Sequence, residues 1–210
     1  AARPRTATIS NCATKRMRLN VGRLDPATTL FLCCDVQEAF RSAVYRFPAV
    51  VAVAKRMVAA GQLLAIPTCV TEQYPKGLKP TVSELDISSC SKFEKTCFSM
   101  LCSEVEQWLQ SDAVIRRKSA VLFGLEAHAC VQQTTLDLVE KGYDVHVLVD
   151  GVSSQVPVDR AVAFDRLRGA GAFLTTSESV LLELIRGKDH PHFKPVSALL
   201  RERPEEPLGF

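Results

Sequence analysis

Cys130 lies in Gly124-Leu125-Glu126-Ala127-His128-Ala129-Cys130-Val131, just past the apolar run Ala120 to Phe123 and at the start of a helical pattern. The unpaired backbone N–H groups and positive dipole end of a helix N-terminus favour an anion, and the thiolate is the form of cysteine that attacks electrophiles. The placement reads as a nucleophile or as a small apolar packing residue. A cysteine nucleophile needs a proton acceptor and a group that holds the thiolate. Asp35 follows the apolar run Leu30 to Cys34 and is the candidate acceptor, with a turn or helix cap as its alternative role. Lys92 and Lys95 are candidate cations. Spacing does not choose between them, and a solvated surface lysine is the ordinary fate of either.

Elements that position these residues follow from the pattern of apolar runs. Leu30 to Cys34 reads as a strand buried on both faces, Pro48 to Gln62 as a helix stopped by Gly61, and Leu63 to Val70 as a second strand. The polar, turn-rich loop Thr71 to Gly77 follows. The alternation then continues: helix Glu104 to Gln110, strand Ala120 to Phe123, helix His128 to Lys141, strand Asp144 to Val149, helix Val158 to Arg168, strand Ala172 to Thr175, helix Glu178 to Arg186. Strands separated by helices of this length pair in parallel. Right-handed crossovers give an open, mostly parallel sheet with helices on both faces, a three-layer α/β/α sandwich. Ligands of such folds bind beyond the carboxyl ends of the strands. Asp35, the Thr71 loop, Gly124 to Cys130 and Asp150 all fall there, so they are expected on one rim.

Composition narrows the partners. With 210 residues, 47% of them hydrophobic, and no linker-like break, residues 25 to 210 are expected to form one domain around one core. A formal charge of +3 with interspersed signs announces no phosphate-binding face, so nucleic acid is not an expected partner. Apolar runs such as Ala49 to Ala54 are too short to cross a bilayer. Eight scattered cysteines without C-x-x-C pairing fit a reducing compartment, and a cytoplasmic location is expected. Residues 1 to 24 are basic, with no acid before Asp25, and read as a disordered tail, with a mitochondrial presequence as the alternative.

Four motifs in order carry a resemblance: Asp35-Val36-Gln37, Thr71-Glu72-Gln73-Tyr74-Pro75, Lys95-Thr96-Cys97-Phe98-Ser99, and Gly124 through Val131. From about Leu30 to Leu200 the chain resembles the isochorismatase-like cysteine hydrolases, most closely their eukaryotic isochorismatase domain-containing subgroup. The resemblance selects Lys95 over Lys92, because Lys95 stands three residues before the aromatic Phe98, which Ser99 follows. It implies a triad of Asp35, Lys95 and Cys130 acting on a small amide or related substrate through a thioester. It further implies an oxyanion hole from the backbone N–H groups of Glu126 and Cys130, a cis peptide joining Leu125 to Glu126, and a homo-oligomer.

The departures carry information too. Family members that act on nicotinamide hold a metal with an Asp and His cluster that includes a D-x-H motif after the second strand. Thr71-Glu72-Gln73 has no histidine, which implies no metal, no cofactor and no nicotinamidase activity. Gln37 is expected to position Asp35 or the substrate, with a merely satisfied buried amide as its alternative role. Phe40, Tyr74 and Phe98 are expected to line an apolar pocket, and His128 to tune the thiol or contact substrate, with a cap or solvent-facing group as its alternative. Cys33, Cys34, Cys69, Cys90 and Cys97 read as packing residues. A binding or regulatory module with a vestigial site is the competing reading, since a family fold does not by itself prove catalysis.

Overall fold

The computed structural model describes residues 20–209; most of the basic stretch read as a tail, residues 1–19, lies outside the described residues. In chain order the elements are strand β1 (Thr29–Cys34), a 3-10 turn (Glu38–Phe40), helix α1 (Phe47–Leu63), β2 (Thr68–Gln73), α2 (Pro75–Leu78), β3 (Ser91–Lys95), α3 (Ser103–Leu109), β4 (Ser119–Leu125), a π-helical turn (Ala127–Val131), α4 (Gln132–Glu140), β5 (Asp144–Ser153), α5 (Pro157–Gly169), β6 (Phe173–Thr175), α6 (Ser177–Ile185) and α7 (Phe193–Arg201). The strands form one sheet in the order β3-β2-β1-β4-β5-β6, and every neighbouring pair is parallel. Among the described residues, no helix is long and apolar enough to cross a membrane.

The period of two along β1 separates two cores. Phe31 and Cys33 face α1, α6 and α7, packing with Val50, Met57, Leu181 and Val196. Leu30, Leu32 and Cys34 face the other way, into a cluster with Val105 of α3, Leu138 of α4 and Phe164 of α5. Both faces of the sheet are therefore covered, which is the expected sandwich. Chain order reverses between β1 and β4. In an open parallel sheet, that reversal opens a crevice where the two connections leave in opposite directions.

Several element boundaries differ from the sequence reading. Gly61 does not stop α1: a Cβ there would lie 2.5 Å from Thr68 Oγ1, so it is a close-packing glycine inside the helix. The turn instead comes at Ala65, with φ 52, and β2 starts only at Thr68. Strand β5 runs on to Ser153, and Asp150 does not reach the rim; its carboxylate accepts the Ser177 N–H at 2.9 Å and the Ser177 hydroxyl at 2.6 Å, capping α6. Cys97 is exposed and Cys90 is half-buried, so neither is a fully buried packing residue as expected. Residues 20–24 are not a free tail: Leu24 is 1% exposed and its N–H donates to Glu183 Oε1 at 3.1 Å.

Gly124 sets how closely β1 and β4 approach at the crevice. It pairs with Cys34 and has φ +118, and a Cβ on it would lie 2.1 Å from the Cys34 carbonyl oxygen. Gly124→Ala therefore meets both a forbidden φ and a backbone clash. The expected result is a loss of about 3 kcal/mol or more in urea unfolding, or no folded protein, against less than about 1 kcal/mol for an exposed substitution such as Gly169→Ala.

Candidate active site

Strand β1 delivers Asp35 to the crevice. Its backbone turns at φ 50, a left-handed conformation that aspartate tolerates better than most residues, while its N–H still reaches the Thr71 carbonyl at 3.2 Å. The carboxylate is 1% exposed. Oδ1 accepts the Thr71 hydroxyl at 2.8 Å; Oδ2 accepts Lys95 Nζ at 2.6 Å and faces Cys34 Sγ at 3.6 Å.

Lys95 ends β3, the edge strand, and its side chain is buried. Nζ donates to Asp35 Oδ2, to Gln73 Oε1 at 2.7 Å, and to the carbonyls of Phe98 at 3.0 Å and Cys97 at 3.2 Å. Burial pushes this ammonium toward its neutral form, but the acidic groups around it, the Asp35 carboxylate at 2.6 Å among them, outweigh that, and its pKa lies above the ordinary 10.5. Lys92, the other candidate, is half-exposed and bridges to Glu72 Oε2 at 3.2 Å. Lys95 is therefore the lysine that the fold turns inward.

Cys130 lies in the turn Ala127–Val131 that follows β4, the strand paired with β1. The expected start of an ordinary helix is here a π-helical turn, in which Glu126 O accepts both the Ala129 and the Val131 N–H at 3.1 Å. Such turns recur at functional sites. The Leu125–Glu126 peptide is cis. Cys130 is buried, with 7% of the residue exposed. The bonds that hold Asp35 and Lys95 do not include its sulfur, and its side chain contacts that of Cys34. Burial first, then that contact, push the Cys34 thiol well above its usual range, leaving it protonated. Thr134 ties the turn down, donating to the Cys130 carbonyl at 2.6 Å and accepting the Met100 N–H at 2.8 Å.

The other expected site residues divide. Gln37 is buried and spends its carboxamide on backbone: it accepts the Gln73 N–H at 2.7 Å and donates to the carbonyls of Gln73 at 3.0 Å and Lys79 at 2.6 Å. His128 is exposed on the rim, its Nδ1 3.0 Å from the Ser154 hydroxyl. Tyr74 is exposed and, with Pro75, Lys76, Lys95 and Thr96, lines a cleft of about 450 Å³. Phe98 is exposed too, and its carbonyl serves Lys95. Phe40 packs against the core on the α1 face.

Sequence reasoning missed Thr71 and Gln73 as partners of the charged pair and Cys34 as the neighbour of Cys130. The available signal was register, since Gln73 aligns with Lys95 and Cys34 with Thr71. Among the described residues, no three His, Cys, Asp or Glu side chains converge as metal ligands.

Lys95→Met would strand a buried carboxylate, and removing one member of a buried pair costs about 3 kcal/mol or more. A raised lysine pKa is stability that is complete below 10.5 and lost as pH climbs through the higher folded value. Urea midpoints across pH are expected to show the variant weaker at pH 8, with a difference that narrows above pH 10.5.

Residues 29–179 match the isochorismatase domain model. Isochorismatase domain-containing protein 2 of Xenopus laevis is 49% identical over 182 residues, spanning 87% of this chain and 88% of that protein. Its counterpart in Homo sapiens is 45% identical over 185 residues, 88% of this chain and 89% of that protein. Among solved structures, the MAR1 ribonuclease of Caenorhabditis elegans superimposes with a TM-score of 0.81 at 44% identity, covering 87% of this chain and 95% of that one. With the parallel sheet and the order of the crevice residues, these matches show that the chain belongs to the isochorismatase family.

Proposed function

We propose that this family member hydrolyses a small amide or related carbonyl compound through a covalent thioester on Cys130. The observation that carries the reading is the buried Asp35–Lys95 pair at 2.6 Å, beyond the end of β1 and so beside β4, the strand that leads into the Cys130 turn. Asp35 takes the Cys130 proton, and the fixed Lys95 cation offsets the charge of the thiolate. The sulfur attacks the carbonyl carbon. Backbone N–H groups of Glu126 and Cys130 stabilise the resulting oxyanion, an interaction commonly worth about 3 kcal/mol. Asp35 then gives its proton to the leaving amine, and next activates the water that opens the thioester. Tyr74, Phe98 and His128, exposed around the rim, are the side chains we assign to substrate contact.

The working assembly proposed is a homo-oligomer, for which the exposed Val156, Val158 and Val162 at the start of α5 offer an apolar surface. RNA is the second substrate to weigh, because the C. elegans structure bears the name of a ribonuclease. Phosphodiester cleavage calls for paired acid and base groups or a metal, and a thiolate is poorly suited to it.

A panel of small amides, esters and a labelled RNA separates these readings. Iodoacetamide is expected to modify Cys130 fastest and to abolish amide turnover. Asp35→Asn and Lys95→Ala should each lower kcat/KM by at least about 100-fold. RNA cleavage that survives Cys130→Ser would favour the second reading. No turnover anywhere, with Cys130 no more reactive than the exposed Cys97, would favour a binding module instead.

A further inference from the structure

Lys95 Nζ has three hydrogens and four oxygen acceptors: one from Asp35, one from Gln73, and two backbone carbonyls. Of the two side-chain acceptors, Asp35 also has to exchange protons in the proposed reaction, whereas the Gln73 carboxamide does not. Gln73 lies beside Lys95 in the β2–β3 register. Its amide is oriented by donating Nε2 to the Thr96 carbonyl at 2.8 Å, which leaves Oε1 facing the ammonium. Its backbone is held in turn by Gln37, which takes the Gln73 N–H and donates to the Gln73 carbonyl as a neighbouring strand would. The buried carboxamide of Gln37 thus reaches Lys95 through Gln73, its other bond going to the Lys79 carbonyl.

We propose that Gln73, held by Gln37, is a positioning residue that fixes the Lys95 ammonium as a stationary positive charge for Cys130. With every Lys95 hydrogen committed to oxygen, the lysine supplies field and not a proton. Asp35 is left as the group that moves protons, and its partner cation stays in place through the cycle because Gln73 and the two carbonyls hold it independently. The inference rests on the reading of Asp35, Lys95 and Cys130 as the reactive trio, and assigns Gln37 and Gln73 to its support, with no part for Gln37 in binding substrate.

A double-mutant cycle on the alkylation of Cys130 tests this without needing a substrate. Iodoacetamide incorporation at Cys130 is followed by peptide mass spectrometry at pH 7.5 in the wild type, Gln73→Leu, Lys95→Met and the double variant. If Gln73 acts through Lys95, Gln73→Leu slows alkylation by about tenfold in the wild-type background and by less than about twofold once Lys95 is methionine, the scale of coupling within one hydrogen-bond network. Equal slowing in both backgrounds, or none in either, overturns the proposal. Gln73→Met, a linear side chain of similar length without the oxygen, replaces Gln73→Leu should that variant not fold. A second measurement needs no Lys95 variant: the Lys95 Cε resonance in protein carrying 13C-labelled lysine should titrate at lower pH in the Gln73 variant than in the wild type, and unchanged titration overturns the proposal. A wild type that hydrolyses nothing sinks the proposed reaction, yet leaves the cycle and the titration readable.

Discussion

Placing a carboxylate and an ammonium together out of water costs several kcal/mol per ion, and their attraction offsets this only where the remaining polar atoms are also met. The Asp35–Lys95 pair fulfils that condition from four separate segments. Thr71 takes one carboxylate oxygen, Lys95 the other, and the lysine is completed by Gln73 and the carbonyls of Cys97 and Phe98. None of these groups is close to Asp35 in sequence. The pair therefore exists only when β1, β2 and β3 are in register and the loop after β3 is folded back, so the charge at the site and the assembly of half the sheet are one event.

The other half of the sheet brings the sulfur. Close approach of β4 to β1 depends on Gly124, where no side chain fits, and the chain then passes through a cis peptide into the π-helical turn carrying Cys130. Because order reverses between β1 and β4, the connections after these strands leave on opposite faces and leave the crevice between them. Neighbouring thiols do not compete for the same role. Burial pushes Cys34, Cys33 and Cys69 up and keeps them protonated; these three residues are 0% exposed, against 7% for Cys130.

Much of this was legible in the chain. Buried parallel strands announce themselves as continuous apolar runs, and the helices between them by their period, so the α/β/α layering could be read directly, and with it the placing of Asp35 and the Cys130 turn after the ends of parallel strands. Lys95 needed the motif resemblance, because an edge strand such as Ser91–Lys95 alternates charged and half-buried residues and carries little apolar signal. Helix α7 lies beyond the last helix read from the pattern, Glu178 to Arg186, although Val196 and Leu200 bury one face of it. Gln73 and Thr71 were illegible for a different reason. A polar residue at a strand end looks the same whether it meets solvent or a buried charge, and only register between strands distant in sequence distinguishes the two.

The central claim is that the Asp35–Lys95 pair serves a nucleophilic sulfur at Cys130, and a trapped intermediate tests it most directly. Intact-mass and peptide analysis of enzyme quenched in acid during turnover of a slow amide or ester should find the acyl group on Cys130, removable by hydroxylamine and absent from Cys130→Ser. An acyl group carried by a different residue, or turnover undiminished when the sulfur is replaced, would contradict the account.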